Sequence, residues 1–149
     1  MAGMKRVWLL VLWAVGLTGP GGVCAAEENG LRASKPGVKD EVVAVVEAQL
    51  AAFRAAEITK AYGYASAALR AQNPLQKFAA IVQTNYPEIW ANVRSEHGLV
   101  RDDGARATVT VRVFSKESEA AYDYVLLKER GGWRIGSVLR HEPKKKESV

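Results

Sequence analysis

The spacing of hydrophobic residues changes once along this chain, between residues 87 and 93, and this change constrains the fold more than any other feature. Before it, apolar residues recur every three or four positions, which is typical of helices that bury one face. After it, apolar and polar residues alternate, which is typical of strands with one face in water. Helices followed by strands predict an α+β domain, with helices covering one face of an antiparallel sheet.

Three helices are predicted in the first half. Asp40 suits the first turn of the first helix, where the helix dipole favours negative charge. Ser66 either lies within the second helix or caps a separate short turn at residues 67–71. Asn73 caps the third helix, which ends before Pro87 because the residue ahead of a proline avoids helical geometry. The three apolar faces are Val43, Val46, Leu50 and Phe53, then Ile58, Tyr62, Ala65 and Leu69, then Leu75, Phe78 and Val82.

Four strands are predicted in the second half, at residues 93–101, 106–114, 120–129 and 133–140. Short turns join them, so they form a curved antiparallel meander. The first loop has three residues with Gly104 in the left-handed conformation, and the last has two residues, Gly131 and Gly132. The predicted cross-strand pairs include Leu99 with Ala107, His97 with Val109, Asp123 with Arg140, Tyr124 with Leu139, and Val125 with Val138.

Residues 1–26 have the parts of a cleavable signal peptide: a basic start, an apolar run at 7–17, and small residues at the end. The apolar run is shorter than the roughly 20 residues of a membrane-spanning helix. Cleavage after Ala25 or Ala26 removes Cys24, the only cysteine. Lipid attachment to Cys24 is disfavoured because Val23 precedes it. We predict an exported protein, periplasmic or secreted, with no membrane span after the leader is cleaved.

The remaining chain divides into a flexible lead-in at residues 27–37, one α+β domain at 38–141, and a disordered basic tail at 142–149. The formal net charge is +5, of which the leader carries two positive charges. The lysines of the tail, Lys144–Lys146, supply the rest of the excess, so the folded part is nearly neutral. This distribution predicts no nucleic-acid partner.

Three segments, residues 43–55, 61–70 and 127–135, resemble the nuclear transport factor 2-like superfamily, also called ketosteroid isomerase-like. The stretch 85–90 is similar to an uncharacterised bacterial family within it. The resemblance implies a cone-shaped domain with a pocket between the helices and the concave face of the sheet. It also implies a homodimer through the outer sheet face. The superfamily's isomerases use a buried carboxylate and a tyrosine, but Asp123 is predicted on the charged outer face, so no catalytic role is carried over.

Six residues are candidates for lining a ligand pocket, and each has an alternative role in core packing. His97 is the only histidine inside the domain, and no acid or cysteine near it in the pattern suggests a metal site or a general base. We predict no catalytic residue, no metal and no cofactor. The six candidates are Tyr62, Trp90, His97, Tyr122, Tyr124 and Trp133.

Three functions remain open on the sequence alone. The first is an exported, non-catalytic domain that binds a small amphipathic molecule or a partner protein in its pocket. The second is a structural or assembly role through an apolar patch on the outer sheet face at Val125, Leu127 and Val138. The third is an isomerase or dehydratase that uses His97 or Asp123 with a tyrosine.

Overall fold

A computed structural model describes residues 30–141. The predicted signal peptide and the predicted basic tail therefore lie outside the described residues. Every helix and strand below lies between Arg32 and Arg140, and no helix in the described part of the chain is long and apolar enough to cross a membrane.

Within residues 30–141 the helical half contains five helices rather than the three that the spacing predicts. They are α1 (Pro36–Arg54), α2 (Ile58–Gly63), α3 (Ala67–Gln72), α4 (Leu75–Asn85) and α5 (Pro87–Trp90).

The predicted second helix divides because its middle pairs with the sheet. Ser66 N donates to the Ile135 carbonyl and Ile135 N donates to the Tyr64 carbonyl, both at 2.8 Å, and this pulls the backbone out of the helix. Ser66 caps α3, because its Oγ accepts a hydrogen bond from the Leu69 amide at 3.2 Å. This confirms the interpretation in which Ser66 caps a separate short turn. The predicted third helix ends at Asn85, and Pro87 starts a separate turn.

The sheet is an open antiparallel meander of five strands, not four. The strands are β1 (Arg32–Ala33), β2 (Asn92–Asp102), β3 (Arg106–Ser115), β4 (Glu119–Glu129) and β5 (Gly132–Arg140), in that spatial order. The additional strand, β1, lies in the predicted lead-in and pairs with Arg101 and Asp102. Ser34 extends this edge with a backbone hydrogen bond to Val100. A strand of two residues is too short to show alternation, so no pattern predicts β1.

Three residues separate the strands of the first hairpin, and Gly104 has the predicted left-handed φ, +94°. The predicted register is wrong from the turn onward, because Asp102 belongs to β2 and pairs with Ala107 in place of Leu99. Val100 faces Val109, and a bulge between His97 and Val100 shifts the register again, so that His97 faces Val111. Leu99, which was predicted to pair with Ala107, lies within the bulge and is 61% exposed.

The predicted register of the last hairpin is also wrong. Glu129 pairs with Gly132, which takes the left-handed φ of +118°, so the turn lies one residue earlier than predicted. A bulge between Val125 and Leu126 shifts the remaining pairs. As a result Asp123 faces Leu139 instead of Arg140.

These shifts move two residues from the predicted outer face to the inner one. Arg140 faces Tyr122, and Val138 faces Tyr124. Both tyrosines are fully buried beneath the helices. The predicted outer patch therefore loses Val138, while Leu127 remains 36% exposed.

The core lies between the helices and the inner face of the sheet. From α1 it takes the predicted Val46, Leu50 and Phe53, together with Val42. Strands β3, β4 and β5 add alternate residues, as the period of two predicts, and β2 adds Val100 alone. The sheet residues of the core are Val100, Ala107, Val109, Val111, Val113, Tyr122, Tyr124, Leu126, Trp133 and Ile135.

Candidate functional site

A cavity of about 300 Å³ lies between the helical layer and strand β5. Its size is at the small end of the range for small-molecule sites in proteins. Residues of α1, α3, α4 and α5 form one side and five consecutive residues of β5 form the other. The lining consists of Gln49, Phe53, Leu69, Asn73, Phe78, Ile81, Val82, Tyr86, Ile89, Ile135, Gly136, Ser137, Val138 and Leu139.

Helical spacing directs the apolar side chains toward this cavity. Phe78 and Val82 are one turn apart on α4, and both are buried. Phe53 comes from the last turn of α1 and stacks on Phe78, with ring centroids 6.2 Å apart. After the chain turns at Pro87, α5 adds the buried Ile89. The walls are therefore fixed by residues that also belong to the core.

No charged side chain lines the cavity, and its polar groups are few. Gln49 is only 4% exposed, and its Nε2 donates to the Ala61 carbonyl at 3.1 Å. The Tyr86 hydroxyl donates to the Val138 carbonyl at 2.8 Å, at the edge of β5. Burial raises the pKa of this hydroxyl above its ordinary value. Asn73 and Ser137 complete the polar part of the lining. An apolar cavity with a few polar groups is the usual form of a small-molecule site.

None of the six predicted pocket residues lines this cavity. Three of them pack directly behind its aromatic wall, with ring centroids 5.1 to 6.0 Å from a lining ring. These pairs are Tyr62 with Phe78, Trp90 with Phe53, and Tyr122 with Tyr86. A direct role for the six in ligand binding stays a prediction.

The other three candidates lie elsewhere in the domain. Tyr124 and Trp133 are buried on the inner face of the sheet. The Tyr124 hydroxyl and the Trp133 Nε1 are buried without a hydrogen-bond partner in the described part of the chain. Burial raises the pKa of the Tyr124 hydroxyl. His97 is exposed, although it pairs with the buried Val111.

A buried carboxylate, Glu88, was missed by the sequence analysis. It is 4% exposed, and both of its oxygens are occupied. Oε1 accepts from the Tyr122 hydroxyl at 2.6 Å and from Arg140 Nη1 at 3.1 Å, and Oε2 accepts from Ser118 Oγ at 2.8 Å. We call these four residues the Glu88 cluster.

The Glu88 cluster favours the charged form of the carboxyl group. Burial by itself raises the pKa of Glu88. The hydrogen bonds from Tyr122 and Ser118 lower the pKa by a larger amount, so the net shift is downward. Burial, together with the adjacent carboxylate, raises the pKa of the Tyr122 hydroxyl. A general base works best with a pKa near the working pH. A saturated carboxylate of low pKa is better suited to fastening α5 to β4 and β5.

Asp123, the acid that the sequence singled out, does not pair with Arg140. Its Oδ1 accepts from Thr110 Oγ1 at 2.6 Å, and its Oδ2 lies 2.9 Å from His141 Nδ1. Among residues 30–141 no three histidine or acidic side chains converge as metal ligands would.

Comparison with protein families identifies the family of this domain. The family model of a domain of unknown function, DUF4864, matches residues 37–148. The chain belongs to the DUF4864 family. The match includes every residue that lines the cavity and the whole Glu88 cluster. The prediction of an uncharacterised domain family is thereby confirmed.

No curated protein and no solved structure matches this DUF4864 chain. Nothing in these comparisons links DUF4864 to the nuclear transport factor 2-like superfamily. What they establish is the family together with an α+β domain that has its helices before an open five-stranded sheet. Membership of the superfamily stays a prediction.

Proposed function

We propose that this DUF4864 protein is an exported binding protein that holds a small amphipathic molecule in the cavity beside β5. The observation that carries the proposal is the lining, which combines apolar side chains from four helices and a strand with a few neutral polar groups. Burial of the apolar part of a ligand there would supply most of the binding free energy. The predicted leader at residues 1–26 supports an extracytoplasmic site of action.

The predicted likeness to the nuclear transport factor 2-like superfamily is part of the same proposal. The order of the elements and a cavity on the helical side of the sheet support it. An enzyme of the isomerase kind receives less support, because the buried acid near a tyrosine is the saturated Glu88 rather than Asp123 or His97.

Native mass spectrometry of the protein purified from the compartment to which it is exported tests the proposal. We expect a bound small molecule at one copy per chain. The same spectra report the oligomeric state and so test the homodimer that the superfamily resemblance implies. A bare chain that also fails to bind apolar probes would contradict the proposal.

A matched pair of variants links binding to this cavity. Ile81 is half-buried in the cavity wall, so Ile81→Trp should fill the space and reduce binding of the neutral fluorophore N-phenyl-1-naphthylamine. Val93 is 50% exposed on β2 and does not line the cavity, so Val93→Trp should leave binding unchanged. Circular dichroism spectra of both variants check that each is folded. Equal binding by both would place the probe somewhere else.

A further inference from the structure

Some polar groups of the cavity already bond to the protein, and others are available to bond to a ligand. Three donors are committed to the protein: one N–H of Gln49 Nε2 to the Ala61 carbonyl, one N–H of Asn73 Nδ2 to the Leu69 carbonyl at 3.0 Å, and the Tyr86 hydroxyl to the Val138 carbonyl. A carbonyl can only accept, so these partners fix the orientation of both amide groups. The oxygens of the two amides therefore face away from these bonds.

The amide oxygen of Gln49 is one of the acceptors left over. Gln49 is 4% exposed and lines the cavity, and within residues 30–141 its Oε1 has no hydrogen-bond partner. This oxygen is not among the fully enclosed partnerless polar atoms of residues 30–141, so it is accessible. A ligand that donates a hydrogen bond to it gains an interaction that a purely apolar ligand lacks. The Asn73 amide oxygen, which is also without a partner in this range, adds a second acceptor in the lining.

The absence of charge in the lining restricts the ligand further. A carboxylate in this cavity would meet apolar walls, acceptor oxygens and only neutral donors, which are the Ser137 hydroxyl and the second N–H of the Gln49 and Asn73 amides, and it would find no cation in the lining. Burial of an ion without a partner is strongly unfavourable. A cationic head would likewise find no carboxylate in the lining.

We infer that the ligand is a neutral molecule with an apolar body and a hydrogen-bond donor, a hydroxyl or an amide N–H, that bonds to Gln49 Oε1. This inference rests on the proposed function and specifies the chemistry of its ligand. It excludes fatty acids and other amphipathic anions as the preferred class. It also assigns Gln49, rather than an aromatic residue, as the residue that determines specificity.

Three probes of one chain length test the inference on the unmodified protein: 1-octanol, octanoate and octyl methyl ether. Each displaces N-phenyl-1-naphthylamine in a fluorescence titration at pH 7.5. We expect 1-octanol to bind about fivefold more tightly than the ether, the effect of one neutral hydrogen bond. We expect octanoate to bind roughly tenfold or more weakly than 1-octanol, because its charge must be buried.

The outcomes separate this inference from the proposed function. If the ether and the alcohol bind equally, the cavity binds apolar molecules and the role of Gln49 is wrong. If octanoate binds most tightly, the neutral class is wrong while the cavity still binds ligands. If neither the fluorophore nor any probe binds, both proposals fail together.

Variants test whether the preference for 1-octanol over octyl methyl ether depends on Gln49. Gln49→Met removes the acceptor at similar volume, so 1-octanol and its methyl ether should bind it equally. Gln83→Met, the same change at an exposed position of α4 that does not line the cavity, should keep the preference for 1-octanol. If Gln49→Met does not fold, the titrations of the unmodified protein still decide the inference. A preference for 1-octanol that survives in folded Gln49→Met would overturn the assignment of Gln49.

Discussion

The Glu88 carboxylate accepts a 2.6 Å hydrogen bond from the hydroxyl of Tyr122, a residue 34 positions further along the chain. Glu88 belongs to the single turn α5, and Tyr122 lies in the middle of β4. Arg140, near the end of β5, bonds to both groups, at 3.1 Å and 3.3 Å. One buried charge therefore joins the short helix to two strands. The cavity depends on this geometry, because Ile89 and Tyr86 on either side of Glu88 line it.

Replacement of Glu88 by glutamine should destabilise the domain. The change removes the charge that three donors share, and hydrogen bonds to charged groups contribute about 1.5–3 kcal/mol. We expect the free energy of unfolding, measured by urea denaturation, to fall by about 2 kcal/mol. Glu96→Gln is the control, since Glu96 pairs with Arg94 at the exposed surface and should matter little. Equal effects of the two changes would show that the Glu88 cluster does not stabilise the packing of α5 against β4 and β5.

The lowered pKa of Glu88 predicts reduced stability in acid. A carboxyl group whose pKa is lower in the folded state binds fewer protons when folded than when unfolded, so the free energy of unfolding rises with pH. Its contribution is complete above the unfolded value, about 4.3, and is lost as the pH falls through the folded value. Urea denaturation between pH 3 and pH 6 should show this slope. The slope should decrease in Glu88→Gln and persist in Glu96→Gln.

Periodicity identified most of the core but not the bulges. The inner positions of β3 and β4 follow strict alternation, so Val109, Val111 and Tyr124 could be assigned from the pattern. A bulge shifts every pair beyond it, and two of them moved Arg140 inward and Leu99 outward. Bulges depend on packing between strands and helices, so they cannot be predicted from the alternation within a single strand.

The site was harder to predict than the fold because it depends on contacts between distant segments. Glu88 follows a proline at the start of a helical turn, where an acid ordinarily complements the helix dipole at the surface. Its burial is decided by Tyr122 and Arg140. Gln49 did have a signal: it lies three residues after Val46 and four before Phe53, on the apolar face of α1. A polar residue at such a position is a candidate for a buried functional group.

The two neighbouring inner tyrosines of β4 should respond oppositely to loss of the hydroxyl. Tyr122→Phe leaves the buried Glu88 without its shortest hydrogen bond and should lower the free energy of unfolding by about 1.5–3 kcal/mol. Tyr124→Phe removes a hydroxyl that is buried without a partner among residues 30–141, and should raise it by up to about 1 kcal/mol. Urea denaturation of both variants gives the comparison. A similar loss in Tyr124→Phe would mean that its hydroxyl is bonded to a buried water or ligand.

Asn92 joins three parts of the helical side of the domain, so its removal should be among the most destabilising single changes. The side chain is 3% exposed, and its Nδ2 donates to the carbonyls of Leu50 and Ile89 at 3.0 and 2.8 Å. Its Oδ1 accepts from Arg54 Nε at 2.6 Å. Truncation removes these three hydrogen bonds together, and each contributes about 0.5–1.5 kcal/mol, or more where the donor is the charged Arg54.

We expect Asn92→Ala to lower the free energy of unfolding by about 3 kcal/mol in thermal and urea denaturation, as loss of a buried hydrogen-bond network does. Asn85→Ala is the matched control, because Asn85 is exposed at the last position of α4. Both Leu50 and Ile89 belong to the core, and Ile89 also lines the cavity, so Asn92→Ala should weaken binding of N-phenyl-1-naphthylamine as well. Full stability in Asn92→Ala would show that α5 is held by the Glu88 cluster alone.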